Sequence, residues 1–176
     1  MNAFLVITLI GADRPGLVNA IADRAAAAGA NWLESSMAQL AGHFAGIVRL
    51  EIAESEAGKL EASLRELEVQ GLRLTIERGV AQAAGAGLRS LKLELLGHDR
   101  PGIVREISSV LARHGASIER METTCESASF SGEPLFRASI EAHLPASAAP
   151  ADLQAALEAL ANELMVDLKL EAAARG

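Results

Sequence analysis

Two stretches of the chain carry the same set of chemically active residues. GADRPGLV occupies residues 11–18 and GHDRPGIV occupies residues 97–104, an offset of 86 residues. A glycine at a helix start leaves the first N–H groups open to a ligand, and the helix dipole there favours a carboxylate. An aspartate beside it can receive an ammonium group. A free amino acid carries both groups, so each stretch is a candidate amino-acid site.

The same residues also have a purely structural interpretation. Pro15 and Pro101 lack an N–H and hold φ near the helical value, which suits the first turn of a helix. Asp13 and Asp99 lie just ahead of them, where a carboxylate can cap the unpaired N–H groups. Residue types alone therefore leave helix capping and ligand binding both open.

The repeat extends well beyond these stretches, because 10 of 21 positions are identical between residues 11–31 and 97–117. In copy 1, apolar spacing predicts a strand over residues 3–10, a helix over 15–29, strands at 31–40 and 44–53 with a tight turn at 41–42, a helix over 56–70 and a strand around 72–76. Copy 2 has the same order, with Val104, Ile107 and Leu111 as the apolar stripe of its first helix. A small and polar stretch, residues 126–134, predicts a longer hairpin loop there.

The order β-α-β-β-α-β in each copy predicts an α+β protein with two ferredoxin-like domains. Each domain should be a four-stranded antiparallel sheet with both helices on one face. We expect domain 1 over residues 1–82, a linker over 83–88 and domain 2 over 89–176. Val6 and Thr8 of the first strand correspond to Lys92 and Glu94 in copy 2, so the open sheet face of copy 1 should be the more buried, against another domain or subunit.

Charge and composition narrow the possible functions. The net charge of −7 comprises seven basic and ten acidic residues before Gly85 and nine basic and thirteen acidic residues after it. Neither half can supply the counterion release that dominates nucleic-acid affinity, so direct DNA or RNA binding is not expected. The single Cys125 excludes an internal disulfide. The four histidines lack metal-ligand spacing and no nucleophile–base pair is visible, so we expect no metal, no cofactor and no catalysis.

The apolar N-terminus has no basic segment before it and ends at a turn after a few residues, which is typical of a strand rather than a signal peptide. No apolar run reaches the ~18 residues that a membrane span needs. We therefore expect a cytoplasmic protein without membrane contact.

Two β-α-β-β-α-β units, each with a Gly-x-Asp-Arg-Pro-Gly-[Leu/Ile]-Val junction, resemble ACT domains, and their tandem arrangement is similar to the glycine cleavage system transcriptional repressor family. The resemblance implies a regulatory protein that binds an amino acid such as glycine. The ligand residues that it implies are Asp13, Arg14, Pro15, Gly16 and Asn31 in copy 1, and Asp99, Arg100, Pro101, Gly102 and Ser117 in copy 2. Ser117 stands where such sites commonly place Asn, which implies weaker ligand binding in copy 2.

Two classes of function agree with this resemblance. The protein either senses a ligand and acts on a protein partner such as a DNA-binding activator, or it is a regulatory subunit or assembly module of an amino-acid biosynthetic enzyme. Each copy alone would bury only roughly 60 to 65% of its unfolded surface. We therefore expect mutual support within the chain or between chains, in the form of a homodimer.

Overall fold

The computed structural model describes residues 1–79, 88–127 and 134–172. The chain divides into two compact units, Met1–Gln82 and Ala83–Gly176, which we call unit 1 and unit 2. The predicted linker, residues 83–88, lies outside the described residues except for Leu88, which is the first residue of a strand. The predicted loop over residues 126–134 lies mostly outside them as well, while Glu126 and Pro134 belong to strands.

Unit 1 is one antiparallel sheet with two α-helices and a short 3₁₀ helix. Its elements are β1 (Asn2–Ala12), α1 (Leu17–Ala27), β2 (Asn31–Leu40), β3 (His43–Ala53), α2 (Glu54–Arg65), the 3₁₀ helix (Glu66–Gln70) and β4 (Arg73–Gly79). The strands lie in the order β2-β3-β1-β4. Ala41 and Gly42 join β2 to β3 with φ angles of 49° and 77°, which is the two-residue turn that suits the twist of a hairpin.

Unit 2 repeats this arrangement. Its elements are β5 (Leu88–His98), α3 (Ile103–Arg113), β6 (Ser117–Ser127), β7 (Pro134–Pro145), α4 (Pro150–Leu164) and β8 (Asp167–Ala172). The strand order is β6-β7-β5-β8, with antiparallel pairing throughout. The predicted α+β class and the β-α-β-β-α-β order are therefore confirmed in both copies.

Each unit has its own core between the sheet and the helices. In unit 1, Leu5, Ile7 and Leu50 of the sheet are fully buried together with Ile21 of α1 and Leu64 of α2. Burying a side chain of this size stabilises a fold by roughly 1.5–3 kcal/mol, so these alternating strand residues decide which face of the sheet the helices cover.

The prediction that Val104 belongs to the core of unit 2 is wrong. Val104 is 37% exposed, and Ile103 takes its place at 2% exposure beside Ile107 and Leu111. The reason is that α3 begins at Ile103, directly after the turn at Gly102, so the side chain one helical turn before Ile107 faces the sheet.

The open sheet faces of the two units differ in composition, as the strand comparison predicts. In unit 1, Phe4 is half-buried beneath the Arg49 guanidinium, 5.0 Å from the ring centre, while Ile10 and Ile47 remain 40% and 46% exposed. In unit 2 the first-strand positions that match Val6 and Thr8 of unit 1 carry an ion pair instead, Lys92–Glu94 at 2.8 Å. The burial of the first face against another domain or subunit stays a prediction.

Candidate functional site

The two repeated loops turn into their helices through a left-handed glycine. We call residues 11–16 loop 1 and residues 97–102 loop 2. Gly16 and Gly102 have φ angles of 90° and 93° and precede helices that begin at Leu17 and Ile103. The expectation that Pro15 and Pro101 lie in the first helical turn is therefore wrong. A residue with positive φ cannot belong to a right-handed helix, so each proline stays on the loop side of the glycine.

Asp13 and Asp99 do not cap these helices, because neither helix has a side-chain hydrogen bond at its N-terminal cap. The capping hypothesis is therefore wrong. Their backbone N–H groups instead bind the hairpin of the same sheet. Asp13 N donates to Gly42 O at 2.9 Å, and Asp99 N donates to Pro134 O at 3.0 Å. Each loop is thus held against its own hairpin by the main chain.

Loop 1 borders a small cavity of ≈ 90 Å³ between the start of α1 and the 3₁₀ helix. Its lining consists of Arg14, Pro15, Gly16, Leu17, Ala20, Leu67, Gln70 and Leu72. This volume holds only a few water molecules, or a ligand of a few heavy atoms. Leu17, Ala20, Leu67 and Leu72 supply its apolar lining, and its polar groups come from loop 1 and Gln70.

The Arg14 guanidinium has a neutral partner. Arg14 Nη2 donates to Gln70 Oε1 at 3.2 Å. Within the residues that the structure describes, Arg14 forms no ion pair. Arg14 lines the same cavity as Gly16 and Leu17 at the start of α1, where the first N–H groups also attract anions. This part of loop 1 is suited to a carboxylate.

Loop 2 has a different charge arrangement. The Arg100 guanidinium donates to the Glu106 carboxylate, which belongs to the first turn of α3. Ala20 occupies the position of Glu106 in copy 1. Glu106 Oε1 lies 3.9 Å from the point that a Cβ on Gly102 would occupy, so the carboxylate lies over the start of the helix. The chain itself therefore neutralises the arginine of loop 2.

Asn31 lies far from loop 1 of the same unit. It is the first residue of β2 and pairs with Glu51, which in turn pairs with Phe4 near the beginning of β1. Loop 1 lies at the other end of β1. Ala12 comes eight positions after Phe4 on this strand, a span of roughly 26 Å. One unit therefore does not bring Asn31 and Asp13 to a common ligand.

Unit 2 separates the equivalent residues in the same way. Ser117 pairs with His143, and His143 pairs with Ser90, which lies eight residues before His98 on β5. Loop 2 includes His98, at the other end of β5. Neither unit therefore brings both predicted parts of a site together by itself. The sequence already indicated this separation. Two strands joined by a helix begin at the same edge of the sheet, whereas the loop follows the far end of the first strand.

Sequence reasoning missed a contact of Asp99. The pKa of the Cys125 thiol is raised. The largest cause is desolvation, followed by the negative charge of Asp99 and a hydrogen bond with that carboxylate. The thiol therefore stays protonated at neutral pH. Cys125 lies 26 positions after Asp99, and no spacing in the sequence indicates that the two side chains meet.

Two further observations concern other kinds of site. In the part of the chain that the structure describes, no three His, Cys, Asp or Glu side chains are grouped so that they could hold a metal ion. None of the helices described there combines the length and the apolar composition needed to cross a bilayer.

Comparison with known proteins explains the repeated fold and loop. Sequence profiles of the ACT domain match residues 3–77 and residues 92–163, one within each unit. The chain belongs to the ACT domain family. It is a tandem ACT-domain protein, as the repeated Asp-Arg-Pro-Gly loops predict, and the matches to the two profiles account for most of its length.

The relatives of this tandem ACT-domain protein match it over most of its length. It is 28% identical over 165 residues to the glycine cleavage system transcriptional repressor of Escherichia coli K12, covering 92% of this chain and 85% of that protein. The repressor of Shigella flexneri matches to the same extent. Among solved structures, it is similar to an unknown protein from Galdieria sulphuraria, with a TM-score of 0.88 and 29% identity over 99% of this chain and 100% of that one.

Proposed function

We propose that this tandem ACT-domain protein is a non-catalytic regulator that senses a small amino acid, glycine above all, and modulates a DNA-binding activator of the glycine cleavage system. The observation that carries the proposal is the extent of the similarity to the glycine cleavage system transcriptional repressor, over 92% of this chain and 85% of the relative. We place it in the cytoplasm, with no metal, no cofactor and no direct contact to nucleic acid.

Loop 1 is the sensing site in this proposal. The Arg14 guanidinium and the first N–H groups of α1 take the ligand carboxylate, and Asp13 takes its ammonium group. Charge-assisted hydrogen bonds of this kind are shorter and roughly twice as strong as neutral ones. The cavity of ≈ 90 Å³ at loop 1 favours an amino acid with a very small side chain.

The Asn31 end of another ACT domain completes the site, and we place that domain in a second copy of the chain. The separation of Asn31 from loop 1 within one unit supports this arrangement. The apolar residues Val6, Ile10 and Ile47 on the open sheet face of unit 1 support it too, because such a face is stabilised when a partner removes it from water. Ligand binding at a shared site would then change the association of the copies and, through it, the partner.

The direct test is transcription in vitro from a glycine cleavage promoter with its activator and RNA polymerase. The protein should repress transcription, and glycine should relieve the repression, because a cleavage system is needed when its substrate is plentiful. Arg14→Ala should repress without responding to glycine. Arg65→Ala, which changes an exposed arginine in the last turn of α2, should behave like the parent. No effect on transcription, together with control of a biosynthetic enzyme that co-purifies with the chain, would contradict the proposal.

A further inference from the structure

Unit 2 places one of its own carboxylates where loop 1 has room for a ligand carboxylate. We infer that Glu106 is a built-in occupant of loop 2, so that a carboxylate ligand binds loop 1 and is excluded from loop 2. This inference rests on the proposed sensing role of loop 1. It makes the two ACT domains unequal, one sensing and one closed.

The position of Glu106 is the first support. Its carboxylate pairs with Arg100 and lies over the start of α3, near Gly102. These are the two groups, an arginine and a helix N-terminus, that loop 1 offers to an anion. The side chains of Arg100 and Glu106 are only 40% and 28% exposed, so solvent weakens this pair less than a fully exposed one.

Two residues beside the loop arginine differ between unit 1 and unit 2. In unit 1, Ala20 leaves the cavity open and Gln70 gives Arg14 a neutral partner. In unit 2, Glu106 replaces Ala20 and the buried Leu164 stands in place of Gln70. Leu164 and Gln70 correspond because each is the last residue of its helix. The residues that follow them, Met165 and Gly71, both have positive φ. Arg100 therefore has an anionic partner where Arg14 has a neutral one.

A tethered carboxylate competes strongly with a free one. A group held by a short linkage acts at an effective concentration of order millimolar or higher, so a free amino acid must displace it to reach Arg100. The arginine that would receive the ligand carboxylate at loop 2 thus already has an anionic partner within the chain.

The occupancy of Arg100 can be measured without any ligand. Phenylglyoxal modifies arginines that are not engaged in ion pairs, and peptide mass spectrometry reports Arg14 and Arg100 separately in one sample. We expect Arg14 to react about tenfold faster than Arg100, and Glu106→Gln, which keeps the shape but removes the charge, to bring the two rates within about twofold. Equal rates in the parent protein would overturn the inference.

Glycine calorimetry on the full chain tests the consequence for binding. The parent should bind one glycine per chain, Glu106→Ala should bind two, and Ala20→Glu should lose at least about tenfold in affinity at loop 1. Each variant installs the residue that the other copy carries naturally. Ala26→Glu adds the same charge at an exposed position near the end of α1 and should bind like the parent.

The outcomes separate this inference from the proposed function. Two glycines bound by the parent would overturn the closed state of loop 2. A single glycine still bound by Glu106→Ala would overturn the claim that Glu106 is what excludes the ligand there. Both results would leave sensing at loop 1 intact. No amino acid bound by the parent would refute the proposed function and the ligand-excluding role of Glu106 together. The phenylglyoxal rates would then still decide whether Glu106 engages Arg100.

Discussion

Gly16→Ala tests the left-handed turn between loop 1 and α1. Gly16 has φ 90° and ψ 0°, and no atom lies within 4 Å of the position that a new Cβ would take. The added methyl group meets open space, so the cost is purely conformational. Placing an L-residue in this region costs about 1–2 kcal/mol. For a domain of this size the melting temperature of unit 1 should fall by roughly 4 to 16 °C.

Gly58→Ala is the matched control, because it makes the same chemical change within the same unit. Gly58 lies inside α2, again with nothing within 4 Å of its new Cβ. Alanine is favoured over glycine in a helix, so this variant should gain about 0.5–1 kcal/mol.

Trp32 is the single tryptophan of the chain and packs against the core of unit 1, so its fluorescence reports the urea unfolding of that unit alone. The two alanine variants should shift the unfolding midpoint in opposite directions. A Gly16→Ala midpoint equal to or above that of the parent would refute the left-handed start of α1.

The remaining predictions concern the loops and the assembly. Asp13→Ala should weaken glycine binding about 10- to 150-fold in calorimetry, the loss of one charge-assisted hydrogen bond, while Asp99→Ala changes it less than twofold. Stability should change by less than about 0.5 kcal/mol in Asp13→Ala because no helix cap is lost, and a larger loss would restore the capping hypothesis. Asp99→Asn should lower the pKa of Cys125 and speed its alkylation by iodoacetamide at pH 8, whereas an unchanged rate would show that Asp99 does not act on the thiol. The purified protein should not shift duplex DNA at physiological salt, because both halves are acidic. Light scattering at micromolar concentration should give the mass of a dimer, and a monomer would contradict the shared site.

The sequence predicts those parts of the fold that depend on local rules. The tight turn at Ala41 and Gly42, the bounds of β2 and the end of α1 shortly before Gly29 follow from glycine positions and apolar alternation. The helix starts could not be predicted in this way. Proline favours the first turn of a helix, but glycine adopts either sign of φ, and the left-handed Gly16 moves the start of α1 beyond Pro15.

The partners of the charged side chains in the two loops could not be predicted from the sequence. Loops 1 and 2 share five of their six residues, including Asp-Arg-Pro-Gly, and the partners of these residues come from elsewhere in the fold. Glu106 reaches Arg100 from α3, Gln70 reaches Arg14 from the 3₁₀ helix, and Asp99 acts on the thiol of Cys125 in β6. Such contacts depend on the packing of whole elements, which a motif does not record.

The amide resonances at the start of α1 test the central claim most directly. In a glycine titration of the ¹⁵N-labelled full chain, followed by NMR, the amides of Leu17 and Val18 should show saturable shifts, while those of Ile103 and Val104 stay unmoved. Arg14→Ala should abolish the shifts at Leu17 and Val18. If glycine and the other amino acids leave these amides unmoved, or if they shift both helix starts equally, loop 1 is not the selective amino-acid site of this ACT-domain protein.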